Sequence, residues 1–301
     1  MLTITNPNIN RSGYGPLFIN NIKRLATTTG VKFINKDHVC VINLVGMYMR
    51  LYKNNELLDH IDTTYNGKLC VSDLMDYYNG LIVISNFDCG TQSLYKIIDN
   101  KLIKYKDLPN FSKDPQFCHG VKFYPYKENI LCFTFNRNKV FSVVFVNYMT
   151  NMVLYQFEYL YGYNPKDVAF INENEMVIGY STSDVTPIST QLNYKSRIVY
   201  MRFDLVGKNH NIVDYFDVDN THADCIMYKN NVIFLNDQMY DTVNTFCIVN
   251  NKIQFIESIK LFDKPHGMDI YDNLLAVANY GDNTVKIIEI PNKTQEFMKN
   301  N

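Results

Sequence analysis

The chain is built almost entirely from short apolar runs separated by small clusters of turn formers. The stretch 264–290 shows the unit most clearly. Pro265 to Gly267 open it, 268–271 reads as a brief strand, and Asp272-Asn273 turn the chain. A second strand follows at 274–278, a longer loop at 279–283, and a third strand at 284–290. β-rich runs bounded by Asn, Asp and Gly are a hairpin signature. The helical period of i, i+3, i+4 is not sustained over any long stretch.

The unit recurs. Gly30-Val31-Lys32-Phe33 matches Gly120-Val121-Lys122-Phe123, and 73–86 aligns without gaps on 266–279. Further copies begin at Pro165 and at His222, so that copies start near residues 30, 74, 120, 167, 223 and 267. The spacing is mostly in the mid-forties, with one longer interval around the polar loop 181–193. Each complete copy carries four strands, and four strands per period of about 40–50 residues is the pattern of a propeller blade. The expected fold is therefore all-β: a six-bladed β-propeller of four-stranded antiparallel blades. It forms a single domain over 1–301, because blades bury their faces only against neighbours.

The last copy runs out after its third strand, at Ile290. A ring left so would keep two open edges. The alternating segment 2–5 is the natural donor of the missing strand, which closes the ring through the termini. Residues 7–29 would then link it to the first blade, and the polar tail 291–301 is expected to fray.

In a blade the first strand starts on the face to which the second returns. Starts of strand one and ends of strand two should therefore line one channel mouth. The first set comprises Asp73, His119, Lys166 or Asp167, His222 and His266, with Asp76, Asp224 and Asp269 nearby. The second comprises Asn43, Asn86, Asn136, Asn236 and Asn279, with Asp237 and Asp282 beside them. Three of six histidines fall at corresponding places in blades three, five and six. Imidazoles ligate zinc, and carboxylates with Asn carbonyls suit calcium. On this reading His119, His222 and His266 hold a divalent metal, zinc or calcium. Asp76, Asp224 or Asp269 acts as base, and Asn86, Asn136, Asn236, Asn279, Asp73 and Asp167 contact a polar ligand. A structural reading stands beside it: His-Gly starts a strand, and Asn caps a turn by bonding nearby backbone.

Composition narrows the setting. The formal net charge is −1, and the lysines are scattered, which argues against a nucleic-acid footprint. Hydrophobic residues make up 47% of the chain, enough for a core, yet no run approaches a membrane span. The seven cysteines are odd in number, contain no CxxC pair and sit largely inside apolar strands. They read as reduced thiols, which with the absence of a signal-like N-terminus places the chain in the cytoplasm. The expected partner is a small-molecule substrate or another protein.

The run Pro265-His266-Gly267-Met268 through Ala276-Val277-Ala278-Asn279-Tyr280-Gly281-Asp282-Asn283-Thr284-Val285 resembles the YVTN/NHL propeller repeat. The six copies together resemble the wider group that holds the SMP-30/gluconolactonase-like proteins. That resemblance implies the fold, and for lactonase-like members a metal at the channel mouth held by a Glu, Asn and Asp set. This chain has Thr29-Gly30-Val31 where that group opens its first blade with Glu-Gly-Pro. Some NHL-type lyases hold zinc with three channel histidines, a geometry that His119, His222 and His266 imitate. The function expected is a metal-assisted hydrolase or lyase on a small polar substrate; the alternative is a non-catalytic scaffold.

Overall fold

The computed structural model describes residues 1–5, 18–19, 22–23, 28–111, 117–136, 142–158, 163–182, 195–219 and 221–299. Six four-stranded antiparallel sheets follow one another along the chain. Blade one is Thr28–Phe33, His38–Asn43, Tyr48–Lys53 and Glu56–Asp62, and blade two is Ser72–Tyr78, Leu81–Asn86, Thr91–Ile98 and Lys101–Leu108. Blade three is Phe117–Phe123, Ile130–Asn136, Ser142–Asn147 and Met152–Glu158; blade four is Asn164–Asn172, Glu175–Ser181, Lys195–Asp204 and Asn209–Asp219. Blade five is Ile226–Lys229, Val232–Asp237, Thr242–Val249 and Lys252–Lys260. Blade six is Pro265–Tyr271, Leu274–Asn279 and Thr284–Glu289, completed by Leu2–Thr5 from the other end of the chain. Leu2 pairs with Ile287 and Thr5 with Thr284, so the ring closes through the N-terminal strand as the repeat count requires. The expected linker 7–29 and the loop 181–193 fall largely outside the described residues.

The tight turns explain the abundance of asparagine. Asn54-Asn55, Asp99-Asn100, Asn230-Asn231 and Asn250-Asn251 have both residues at positive φ, as do Asn66-Gly67 and Asn79-Gly80. Each pair joins two adjacent strands as a two-residue connection, the I′ geometry that matches strand twist. Asn tolerates this backbone far better than other side chains with a Cβ.

The core lies between blades rather than within them. One cluster joins Met49, Leu51, Met75, Ile84 and Tyr95 across blades one and two. Another joins Cys132, Phe145, Val168 and Met201 across blades three and four. The seam between blades six and one holds Ile4, Val31, Val39, Ala276 and Val285, so the closing strand is packed as well as paired.

One expectation is overturned. The tail is not frayed: Asn292–Lys299 is an α-helix. Thr294 is buried, donating from its N and Oγ1 to Glu257 Oε1 at 2.9 and 2.6 Å. Lys293 Nζ donates to the Ile256 carbonyl at 2.7 Å, and Met298 enters the core between blades five and six. Local polarity gave no sign of this docking, which depends on residues of blade five.

Inner strands approach closely where a glycine follows a histidine. A Cβ on Gly267 would lie 2.3 Å from the Thr29 carbonyl oxygen and 2.9 Å from Gly30 Cα; on Gly120 it would lie 2.6 Å from the Lys166 carbonyl oxygen. These contacts are backbone and cannot swing aside. Gly267→Ala is therefore expected to destabilise by about 3 kcal/mol, the range for overpacking at a rigid site. Calorimetry should show a melting midpoint lower by roughly 6–12 °C. Gly179→Ala, whose Cβ meets side chains no nearer than 3.5 Å, should shift the midpoint little.

Candidate functional site

The strand ladders fix which residues are equivalent. Val31, Met75, Val121, Val168, Ile226 and Met268 pair with Val41, Ile84, Phe133, Ile178, Leu235 and Val277. Two residues upstream lie Thr29, Asp73, His119, Lys166, Asp224 and His266, one from each blade. All six are buried, the most accessible being His266 at 6%. This upper tier is the candidate site.

Its side chains meet across the channel axis. His119 Nε2 is 3.3 Å from Asp73 Oδ2 and 3.2 Å from Asp224 Oδ1. His266 Nε2 is 3.4 Å from Asp73 Oδ1 and 3.7 Å from Asp224 Oδ2. The two rings stack with centroids 5.9 Å apart, and Tyr280 stacks on His266 at 5.8 Å. Lys166 Nζ is 3.3 Å from Asp224 Oδ1, and Gln238 Nε2 donates to Asp224 Oδ2 at 2.6 Å. Each imidazole is held from behind: Nδ1 of His119 bonds the Lys166 carbonyl at 3.0 Å, and Nδ1 of His266 bonds the Thr29 carbonyl at 3.1 Å. A carbonyl accepts only, so Nδ1 carries a proton in both and Nε2 faces the axis.

Blade five departs from the expected register. Asp224, rather than His222, stands where blades three and six place His119 and His266. The reason is local. The inner strand of blade five begins only at Ile226. The backbone N–H groups of Asp224 and Cys225 donate instead to Asn236 Oδ1, at 3.0 and 2.6 Å. His222 lies two residues outside the tier, with Nε2 3.3 Å from Asp224 Oδ2 and its side chain 22% exposed.

Asp76 and Asp269 are not with the imidazoles. They belong to a lower tier three residues further along the inner strands, with Lys32, Lys122, Ala169 and Met227. Lys32 Nζ lies 3.1 Å from Asp76 Oδ1 and 3.0 Å from Asp269 Oδ1. The other oxygens of these carboxylates accept the Phe123 and Phe33 amides of the next blade, at 2.8 and 2.7 Å. Asp167 lies between the tiers, paired with Lys122 at 2.9 Å and accepting Ile226 N at 3.3 Å. The lower tier is thus a belt of charge pairs that stitches neighbouring blades. Burial lowers the Lys32 ammonium, but Asp269 and Asp76 more than reverse this and keep it charged.

Four of the five asparagines hold turns, strand ends and a seam between blades. Asn43 Oδ1 accepts Gly46 N at 2.6 Å, and Asn86 Nδ2 donates to Ser93 Oγ at 2.9 Å. Asn236 Nδ2 donates to the Pro265 carbonyl at 2.6 Å, and Asn279 Nδ2 donates to Thr284 Oγ1 at 3.1 Å. Asn136 pairs with Phe117 at the strand end, one residue beyond the position of Asn43, Asn86 and Asn279; its side chain lies outside the described residues. Asp237 and Asp282 accept the nearby Met239 and Thr284 amides, at 3.0 and 3.1 Å. Gln238 was not singled out by sequence; its place just after Asn236-Asp237, at a strand-two end, is the signal that marks it.

The electrostatics of the upper tier are specific. Burial opposes ionisation of Asp224, but His222, Lys166, His266 and a hydrogen bond from His119 outweigh it, holding the carboxyl well below its ordinary range. Burial lowers His119, but Asp73, opposed by Lys166 and helped by Asp224, raises it above the ordinary imidazole value. With neutral imidazoles the tier carries two carboxylates and one ammonium, so one positive charge is missing. Protonated His119 supplies it, and so would a cation.

The donor set fits a divalent metal. Asp73, His119 and His266 each offer a ligand atom within 4.8 Å of the others. A tetrahedral ion with N and O ligands at about 2.0–2.1 Å separates them by roughly 3.4 Å, against 3.3 Å from His119 Nε2 to one Asp73 oxygen and 3.4 Å from His266 Nε2 to the other. Proton-bearing Nδ1 bonded to a carbonyl, with Nε2 directed inward, is the usual support of a metal-binding histidine. Asp73 Oδ1 and Thr29 Oγ1 are buried without a hydrogen-bond partner among the described residues, the condition expected of atoms that serve a ligand. His222 is not a member of this set. A surface cavity of about 370 Å³ lies between blades two and three on the opposite face, lined by Leu81, Ile98, Tyr105 and Met149.

No protein-family model matches the sequence, and no curated protein matches it either. Solved structures do match. Hydrazine synthase of Kuenenia stuttgartiensis aligns with a TM-score of 0.65 at 9% identity, over 91% of this chain and 99% of that one. The periplasmic gluconolactonase PpgL of Pseudomonas aeruginosa aligns with a TM-score of 0.57 at 12% identity, over 89% and 82%. The WD40 domain of Toxoplasma gondii coronin aligns with a TM-score of 0.56 at 10% identity, over 89% and 70%. No helix of the described residues is long and apolar enough to cross a membrane. At these identities the likenesses carry the architecture alone, and the chain is a six-bladed β-propeller.

Proposed function

We propose that the upper tier is the metal centre of an enzyme acting on a small polar substrate, as a hydrolase or a lyase. Asp73, His119 and His266 would hold the ion, and two imidazoles favour zinc over calcium. A zinc ion held there would supply Lewis-acid polarisation of a substrate oxygen or activation of water. Asp224 remains ionised and, with Lys166 and Gln238, is fixed in place. His222 is the half-buried imidazole beside it, with Nε2 3.3 Å from Asp224 Oδ2. His222 would pass a proton at the mouth, in the manner of a histidine oriented by a carboxylate. A gluconolactonase among the structural likenesses agrees with this reading.

The observation that carries it is the posture of two imidazoles, each bonded through Nδ1 to a carbonyl and each aimed through Nε2 at Asp73. Metal analysis of the purified chain tests it. One ion per chain, lost in His266→Ala and in Asp73→Asn, is expected. An ion-free wild type that takes up no zinc on dialysis would refute the metal centre.

A second reading is favoured by a different observation. Tyr78, Ile98, Tyr105 and Met149 are exposed at 40–52% on the opposite face, around the grooves between blades two and three. A non-catalytic propeller that presents this face to a protein partner accounts for them, and a WD40 domain is among the likenesses. Under that reading the upper tier is an ion-paired plug and takes up no metal.

A further inference from the structure

We infer that Cys70, Cys89 and Asp88, on the mouth-side rim of blade two, form a second cation site, separate from the upper tier and selective for a soft divalent metal such as zinc or cadmium. One ligand atom from each lies within 4.8 Å of the others. The two sulfurs are 3.9 Å apart. A tetrahedral ion with sulfur ligands at about 2.3 Å separates them by roughly 3.8 Å, whereas a disulfide requires about 2.05 Å. The spacing is therefore that of two thiolates sharing a metal, reached with almost no movement.

The scaffold is already built. Cys70 N donates to the Thr63 carbonyl at 2.9 Å, and Thr63 Oγ1 donates to the Cys70 carbonyl at 2.8 Å. Phe87 N donates to the Val71 carbonyl at 2.8 Å, which ties the Cys89 turn to the segment bearing Cys70. That turn, 87–90, ends at Gly90, whose φ of 62° returns the chain into the third strand. Cys70 is buried, Cys89 half-buried and Asp88 exposed, so the site opens to solvent on the carboxylate side. Such a three-ligand set leaves a fourth position for water.

Thr91 Oγ1 accepts from Asn86 Nδ2 at 3.2 Å, so its own hydrogen is available to the Cys89 sulfur 3.0 Å away. Ligation by the two sulfurs displaces their thiol protons, so that binding releases protons. The remaining five thiols are buried and offer no comparable pair among the described residues.

The test is a cadmium titration of the reduced full chain, followed by the thiolate-to-cadmium charge-transfer band. That band reports sulfur ligation only and is blind to the imidazole site. One equivalent of band-forming cadmium is expected, persisting in His119→Ala and His266→Ala. Cys89→Ser should abolish the band, and Asp88→Asn should weaken the affinity roughly tenfold. Cys89 is half-buried, so its variant should fold even if Cys70→Ser does not. Absence of the band, its survival in Cys89→Ser, or a Cys70–Cys89 disulfide that resists mild reductant would overturn the inference.

Discussion

Asp224→Ala is expected to lower the melting midpoint at pH 7 by roughly 6–20 °C. Asp224 is 4% exposed and faces Lys166, His119, His222 and His266. Removing one member of a buried charge network leaves the others uncompensated, at a cost of about 3–5 kcal/mol; in a chain of this size each kcal/mol moves the midpoint by roughly 2–4 °C. The effect has a pH signature. The folded Asp224 carboxyl titrates well below its unfolded value. Its contribution is therefore full above about pH 4 and fades as pH falls through the folded value. His119 titrates above its unfolded value. Its contribution is full below about pH 6.5 and fades as pH rises through the raised folded value. Wild-type stability should thus be greatest between these limbs, whereas Asp224→Ala should lose much of both. Calorimetry of the metal-free chain from pH 3 to 9 checks this, and midpoints within about 2 °C of wild type throughout would contradict it.

Ile4→Asp should be as damaging by another route. Ile4 is 3% exposed in the seam between blades six and one, and Leu2–Thr5 supplies the outer strand of blade six. An unpaired carboxylate there loses the apolar contact and is desolvated, together costing about 4 kcal/mol or more. The closing strand should detach and bare the edge at Thr284–Glu289, an invitation to intermolecular pairing. Hydrogen exchange should show protection lost on that strand, with light scattering rising on warming. Retained protection across Thr284–Glu289 would show that closure does not depend on this strand.

Much of this architecture was readable from residue order. Asn pairs marked turns, apolar runs marked strands, and the recurrence of His-Gly placed His119 and His266 at one mouth. The glycine was legible as a strand opener, but its reason is the approach of a neighbouring blade to 2.3–2.6 Å of a hypothetical Cβ. Blade five misled because its inner strand starts late: the Asn236 side chain replaces the ladder there and slides the tier from His222 to Asp224. Asp76 and Asp269 looked available for chemistry because their partners are remote. Lys32, which pairs with both, is 237 positions from Asp269. Lys166 and Asp167 could not be told apart from residue order alone; the bulge between Pro165 and Asp167 leaves Lys166 in the upper tier and Asp167 between the two. The terminal helix was hidden for a related reason, since Glu257 and the seam that receives Met298 are distant in sequence.

Crystals grown with zinc and measured at the zinc absorption edge test the metal centre most directly. An anomalous peak about 2.0–2.2 Å from Asp73, His119 Nε2 and His266 Nε2 is the predicted result. A channel mouth without such a peak, with His119 still paired to Asp73 and Asp224, would contradict it and leave the upper tier as a plug of buried ion pairs.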